Sequence, residues 1–239
     1  MSASRVIIDA GGGEVNNCFF VALLVSTAAN AAAHPKDREV QNSVSRMMSC
    51  CEKWVGAQDA VHVRRVFDLA ARSAASGIWP ARAPEAAEKI AGAVLRTVFA
   101  RFIRANAHSR IGASGLQTTK EIMDCITVRE TVGGEIGIRD VETDGIMVEG
   151  LVAIVPFALK VPIVVDHYED AHMGTRLFSN SFFRNCDAPI VSAVAHVAFT
   201  GNHYYAVCSK NGCLHSFESP ALSIYIRVLR SAQRIDARA

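Results

Sequence analysis

The chain has 239 residues, half of them hydrophobic and 20% charged, with a net charge of +2. This excludes a disordered or fibrous protein and argues against one built chiefly to hold polyanions. The seven cysteines (Cys18, Cys50, Cys51, Cys125, Cys186, Cys208 and Cys213) are an odd number scattered along a long chain. That is the pattern of reduced thiols, not of a disulfide framework, and it leaves one thiol free for catalysis.

Arg5 to Asp9 (RVIID) reads as a short strand, broken by Gly11-Gly12-Gly13. Asn17 stands where a helix N-cap belongs, ahead of the apolar run CFFVALLVSTAANAAA at 18–33. That run has the look of a signal-peptide core, but Asp9 and Glu14 oppose Arg5 where such a peptide needs a positive start. It is also shorter than the roughly 20 residues that span a bilayer. A fully buried central helix is therefore expected.

Val40, Val44, Met47, Cys51 and Trp54 then recur at helical spacing, with Gly56 as the stop. Two more helices are expected over about 58–75 and about 84–106. Ser109–Gly115 marks a loop, and Thr118 with Glu121 has the spacing of a capping box at the start of another helix. A further helix is expected over about 145–159, kinked or cut short by Pro156. Beyond it the period changes, and strands are expected at 161–166, 190–200, 203–209 and 213–218, with Asn211-Gly212 as a tight hairpin turn. Helices first and a mostly antiparallel sheet later define an α+β fold, here a single domain over 1–239.

Charge is unevenly placed. Residues 57–110 hold nine Lys/Arg against four Asp/Glu, a net +5, and residues 111–175 hold four against eleven, a net −7. Solvated helix faces account for such a division, and a two-signed surface that selects a charged partner is the sharper reading. Nucleic acid, which would show itself by salt-sensitive binding to the 57–110 helices, ranks behind a protein partner.

Cys18 is the thiol best placed for chemistry. It follows an irregular Gly-rich loop and opens a helix, where backbone N–H groups and the helix dipole favour a thiolate. The same N–H groups can hold the oxyanion of a tetrahedral intermediate. Cys50, Cys51 and Cys125 lie on helical stripes and are expected to be packing. A nucleophilic thiol needs an imidazole, and His203 has the best setting of the eight histidines, at the head of a strand just after Gly201-Asn202. His203, Cys208, Cys213 and His215 offer four zinc ligands, but the paired CxxC spacing is absent and the hairpin register spreads them along a ladder. No metal and no cofactor are expected.

Together, VNNCFFVAL and NHYYAV resemble the two motifs of the ovarian-tumour (OTU) cysteine proteases: an Asp-Gly-Asn-Cys run opening the central helix, and a His-Tyr dipeptide on a late strand. Between them, GIMVEGLVAIVPFALK running into VPIVVD is similar to the family's helix-then-strand step. The resemblance covers roughly 5–25 and 145–219, and the helical block at about 35–125 stands as an insertion that it does not cover. It implies a papain-like core with a central, mostly antiparallel sheet flanked by helices. It also implies a deubiquitinase that cleaves ubiquitin or a ubiquitin-like protein from lysine through a thioester. Cys18 attacks, His203 moves the proton, and the backbone of Val15, Asn16 and Asn17 holds the oxyanion. The alternative is a catalytically weakened ubiquitin-binding module of the same fold. The expected setting is a cytoplasm (the host's, for a bacterial effector or viral protein), with no membrane partner.

Two departures from the family pattern matter. Val15-Asn16 replaces the family's Asp-Gly, and Tyr205 stands two after the histidine, where an acid or amide usually orients the imidazole. If Asn211-Gly212 turn a tight hairpin, Glu218 lies opposite Tyr205 and supplies the missing acid. Asp9 is the runner-up and Asn202 the third choice. Glu149, Asp166, Glu169 and Asp170 are candidate contacts for the arginines of a ubiquitin tail.

Overall fold

The apolar run forms helix α1 (Cys18–Ala33), buried without interruption from Cys18 to Ala31. A helix that is apolar all round must be covered on every side. The computed structural model describes residues 5–9, 17–76, 85–109, 129–132, 135–138, 147, 149–169, 175–182, 194–201 and 203–209. In these, strand β1 (Arg5–Ile8) precedes α1. Helices α2 (Arg38–Val55), α3 (Ala57–Ser76) and α4 (Glu85–Ala105) follow it. Then come β2 (Arg129–Val132), β3 (Glu135–Ile138), α5 (Glu149–Val152), α6 (Val155–Leu159), β4 (Ile163–Tyr168), β5 (Arg176–Phe182), β6 (Ala195–Phe199) and β7 (Tyr204–Ser209).

The three long helices cover one side of α1, and β6 and β7 cover the other. The described part of the fold is thus helices on a five-stranded mixed sheet of order β1-β7-β6-β4-β5, with β2 and β3 paired apart from it. Only β4 and β6 run parallel; the other neighbours in the five-stranded sheet are antiparallel.

The helices begin and end for local reasons. The Asp37 carboxylate accepts from the N–H groups of Glu39 and Val40 at 2.9 and 3.2 Å, capping α2. Gly56, at φ +86°, ends α2 in a conformation that L side chains rarely adopt. The single helix expected over 145–159 is instead two short pieces, α5 and α6, with Pro156 in the first turn of the second. A ring without an N–H is harmless there and disruptive mid-helix. The β2–β3 hairpin and β5 were not expected. RETV and RLFSNSF carry little apolar alternation, EIGI alternates over only four residues, and β5 pairs only with β4 among the described strands. The capping-box helix from Thr118 and the strand over 213–218 lie outside the described residues.

Three polar residues interrupt the apolar surface of α1, and each has a task. Thr27 Oγ1 donates back to Leu23 O at 2.7 Å, and Asn30 Nδ2 donates to Val194 O, just ahead of β6, at 2.8 Å. Ser26 Oγ donates to Val207 O at 3.0 Å and accepts from His196 N at 2.8 Å. The β6–β7 ladder runs from Phe199↔Tyr204 to Val197↔Ala206, so His196 and Val207 would form its next pair. The Ser26 hydroxyl stands where that ladder bond would be, and it fixes how far α1 slides along the sheet. Ser26→Ala is expected to leave a buried N–H and a buried C=O without this partner and to cost about 1–3 kcal/mol. Urea unfolding followed by circular dichroism reads the loss directly, and an unchanged midpoint would refute the pinning role.

Candidate active site

Cys18 is the first residue of α1 and sits 8% exposed at the edge of the core. Because α1 packs along β7, its N-terminus meets the start of that strand. There β6 turns back into β7. Thr200 N donates to His203 O at 3.2 Å and closes the turn, which Gly201 enters at φ +89°. His203 is the first residue out of the turn, and its imidazole hydrogen-bonds the Cys18 thiol. The two elements that carry thiol and imidazole are therefore held together by the helix–sheet packing itself.

The imidazole also has a carboxylate. His203 Nε2 lies 3.1 Å from Asp9 Oδ1. Strand register explains why Asp9 is there. β1 pairs antiparallel with β7, with Ile8 opposite Ala206, so the next residue, Asp9, stands opposite Tyr205. Opposed residues share a face of the sheet, as do residues two apart on one strand, and both relations point Asp9 at His203. Tyr205 itself packs edge-on against the imidazole, ring centroids 4.6 Å apart. Glu218 and Asn202, the other candidates for this acid, lie outside the described residues, as do Val15, Asn16 and Asp170.

The electrostatics follow from these contacts. Burial works to raise the Cys18 pKa, but the His203 hydrogen bond, the backbone N–H of Tyr204, the charge on His203 and the N–H of Phe19 together bring it below the ordinary thiol value. His203 moves the opposite way. Its bond to Cys18 is the main cause of the rise, resisted by burial and helped by the thiolate charge and by Asp9. Opposite shifts in a thiol and an imidazole are the signature of a thiolate–imidazolium pair. Cys51 and Cys208 provide the contrast: burial without a cationic neighbour pushes each up to about 12. Tyr204 seats the strand beneath the site, its ring edge-on to Phe19 and its hydroxyl donating to Met147 O at 2.9 Å.

Sequence reasoning missed the neighbour on the other side of Cys18. Asn17 precedes α1 as its N-cap residue, yet its side chain makes no capping bond. Its Oδ1 accepts instead from Arg96 Nε on α4 at 2.6 Å. Arg96 is only 1% exposed, and its guanidinium lies over the Phe20 ring, 5.4 Å from the centroid. The available signal was an arginine on the same helical face as Gly92, Phe99 and Ile103, all of which are buried.

Of the acidic residues proposed to meet a basic tail, Glu149 opens α5 and Glu169 is exposed at the end of β4. Asp166 must be withdrawn. Its carboxylate is fully buried and committed to His196 Nε2 at 2.8 Å, Ser179 Oγ at 2.5 Å and Arg176 at 3.6 Å, joining β4, β5 and β6. Burial raises its pKa, but His196, Ser179 and Arg176 outweigh it and hold the group down to about 2. A depressed carboxylate contributes stability that is present above its unfolded value near 3.8 and is lost as pH falls through the folded value. Asp166→Asn should therefore cost about 2 kcal/mol at neutral pH and flatten the stability loss between about pH 4 and pH 2. Chemical unfolding across that range checks it; a parallel acid profile in the variant would exclude Asp166 as the titrating group.

No protein-family model matches the chain, and no curated protein sequence matches it. Among solved structures, the chain aligns with OTUB1 in the h/ceOTUB1–ubiquitin aldehyde–UBC13~Ub complex at 10% identity and a TM-score of 0.44, over 82% of this chain and 74% of that one. The h/ceOTUB1–ubiquitin aldehyde–UBCH5B~Ub complex gives the same values. A ceOTUB1–ubiquitin aldehyde–UBC13~Ub complex aligns at 8% identity and a TM-score of 0.38, over 83% and 77%.

Proposed function

We propose that this chain is a cysteine-dependent hydrolase that releases ubiquitin or a ubiquitin-like protein from lysine. The observation that carries the chemistry is the continuous chain Cys18–His203–Asp9, in which the thiol is held below its ordinary pKa and the imidazole above its own. The substrate class comes from the likeness of VNNCFFVAL and NHYYAV to the OTU motifs. The Cys18 thiolate attacks the isopeptide carbonyl carbon, and His203 gives its proton to the departing lysine amine, leaving a thioester. Water then attacks the thioester while His203 takes back a proton, releasing the carboxylate and the thiol. Backbone N–H groups of residues 15–18 hold the oxyanion in both steps.

Asp9 takes the orienting role, since it occupies the space that Tyr205 leaves without an acid. Glu169, and Glu149 at the start of α5, are the acidic contacts proposed for the substrate's basic tail. No described helix is long and apolar enough to cross a membrane. A cytoplasm is the proposed setting.

Hydrolysis of a fluorogenic ubiquitin C-terminal amide tests the reading. Cys18→Ala and His203→Ala are each expected to abolish turnover, because nucleophile and base act as a unit. Asp9→Asn should lower kcat by as much as about 10⁴-fold. It should also move the basic limb of the pH profile to lower pH, since Asp9 helps to raise the His203 pKa. Glu218→Gln should change little; collapse there with Asp9→Asn unaffected would assign the acid to 218. Ubiquitin binding without turnover in the wild type would mark the chain as the weakened binding module instead.

A further inference from the structure

The helical block has a part in the chemistry that its position in the chain does not suggest. α4 runs past the first turn of α1 at very close range. A Cβ added at Gly92 would stand 2.8 Å from Val21 Cγ2 and 3.0 Å from Asn17 Cβ, so only glycine allows this approach without movement. One turn later on the same face, Arg96 reaches the Asn17 side chain through Nε. Gly92 and Arg96 thus form a seat for Asn17, the residue immediately before the nucleophile.

That seat changes what Asn17 does. Asparagine is among the strongest N-cap residues, and it caps by turning its side-chain oxygen onto the N–H of the second or third helical residue from an extended backbone. Here the backbone is at φ −93°, ψ 2°, a bridge conformation, and the oxygen is taken by a guanidinium from another helix. Asn17 O still accepts from Val21 N at 3.1 Å, so the helix starts in the ordinary way and only the side-chain cap is missing. One first-turn donor, the N–H of Phe19, is turned on the Cys18 sulfur. A capping side chain would compete for the same group of donors.

We infer that Arg96 is a positioning residue: with Gly92 it holds the Asn17 side chain off the N-terminus of α1, so that the first-turn N–H groups serve the Cys18 sulfur and the anion formed in the reaction. This rests on Cys18 being the nucleophile and goes beyond the triad, because it makes α4 part of the site. Arg96 acts through Asn17, whose Oδ1 it holds at 2.6 Å.

The test reads the thiol without ubiquitin. Iodoacetamide alkylates the thiolate, the sulfur displacing iodide to form a thioether, so the rate at Cys18 against pH, followed by peptide mass spectrometry, reports its ionisation. Arg96→Met is expected to move the midpoint up by about one pH unit, which is roughly tenfold less thiolate below it, while circular dichroism shows the fold intact. Asn17→Ser and Asn17→Ala both leave Arg96 without this partner, but serine is a good cap and alanine is not. The serine variant should therefore shift the midpoint upward and the alanine variant should stay near the wild type. Equal midpoints for serine and alanine would overturn the inference, as would an unshifted midpoint in folded Arg96→Met. If Arg96→Met does not fold, the serine–alanine comparison decides alone. A wild type that alkylates as described but cleaves no ubiquitin would sink the proposed substrate and leave this inference standing.

Discussion

The burial of α1 is the constraint from which the rest follows. Fourteen consecutive residues, Cys18 to Ala31, are closed off from water, Ser26, Thr27 and Asn30 among them. Fully burying a single aliphatic side chain contributes about 1.5–3 kcal/mol, and α1 commits Phe19, Phe20, Leu23 and Leu24 at no exposure at all. A helix with that much at stake can sit only between two layers, and α2–α4 and the sheet supply them. Once α1 is so placed, and once Ser26 and Asn30 fix its position along β6 and β7, there is one place where its N-terminus can emerge. Cys18 arrives there beside His203 as a consequence of packing.

The carboxylate beside His203 is placed by a different rule. Cross-strand geometry requires a residue opposite Tyr205 on the same face as His203, and two strands can supply it, one on either flank of β7. The hairpin argument from Asn211-Gly212 chose the strand that follows and reached Glu218. The described register puts β1 on one flank of β7 and β6 on the other, and it brings Asp9 to 3.1 Å from the imidazole. Sequence alone does not show which strand flanks β7, and Glu218 lies outside the described residues. Pairing β1 with β7 joins residues about two hundred positions apart, from Arg5↔Ser209 to Ile8↔Ala206, and nothing in RVIID or HYYAVCS specifies that contact.

Local features were legible in the sequence, whereas features that depend on distant contacts were not. The bounds of α2, α3 and α4 follow from apolar spacing, from Gly56 and from ordinary helix propensity, and the apolar run of α1 announced a buried helix. β5 was invisible because its apolar residues do not alternate: Leu177 and Phe178 are adjacent and, with Arg176, stay exposed. Asp166 was misjudged for the reverse reason. An aspartate at the end of VPIVVD looks like a surface charge, and only the arrival of His196 from β6 and Ser179 from β5 makes its burial tolerable. Asn17 carried a correct local signal, an N-cap residue at a helix start, that Arg96 overrides from another helix.

Cys18 and His203 were each chemically suggestive alone, and the fold supplies what neither could show, which is that they meet. The central claim is that this meeting serves attack on the C-terminus of ubiquitin or a ubiquitin-like protein. The most direct measurement is to incubate the chain with ubiquitin carrying a C-terminal thiol-reactive electrophile and to map the adduct by mass spectrometry. The account predicts a single ubiquitin attached at Cys18. Attachment at another cysteine, or none to a folded chain whose Cys18 is readily alkylated by iodoacetamide, would contradict it.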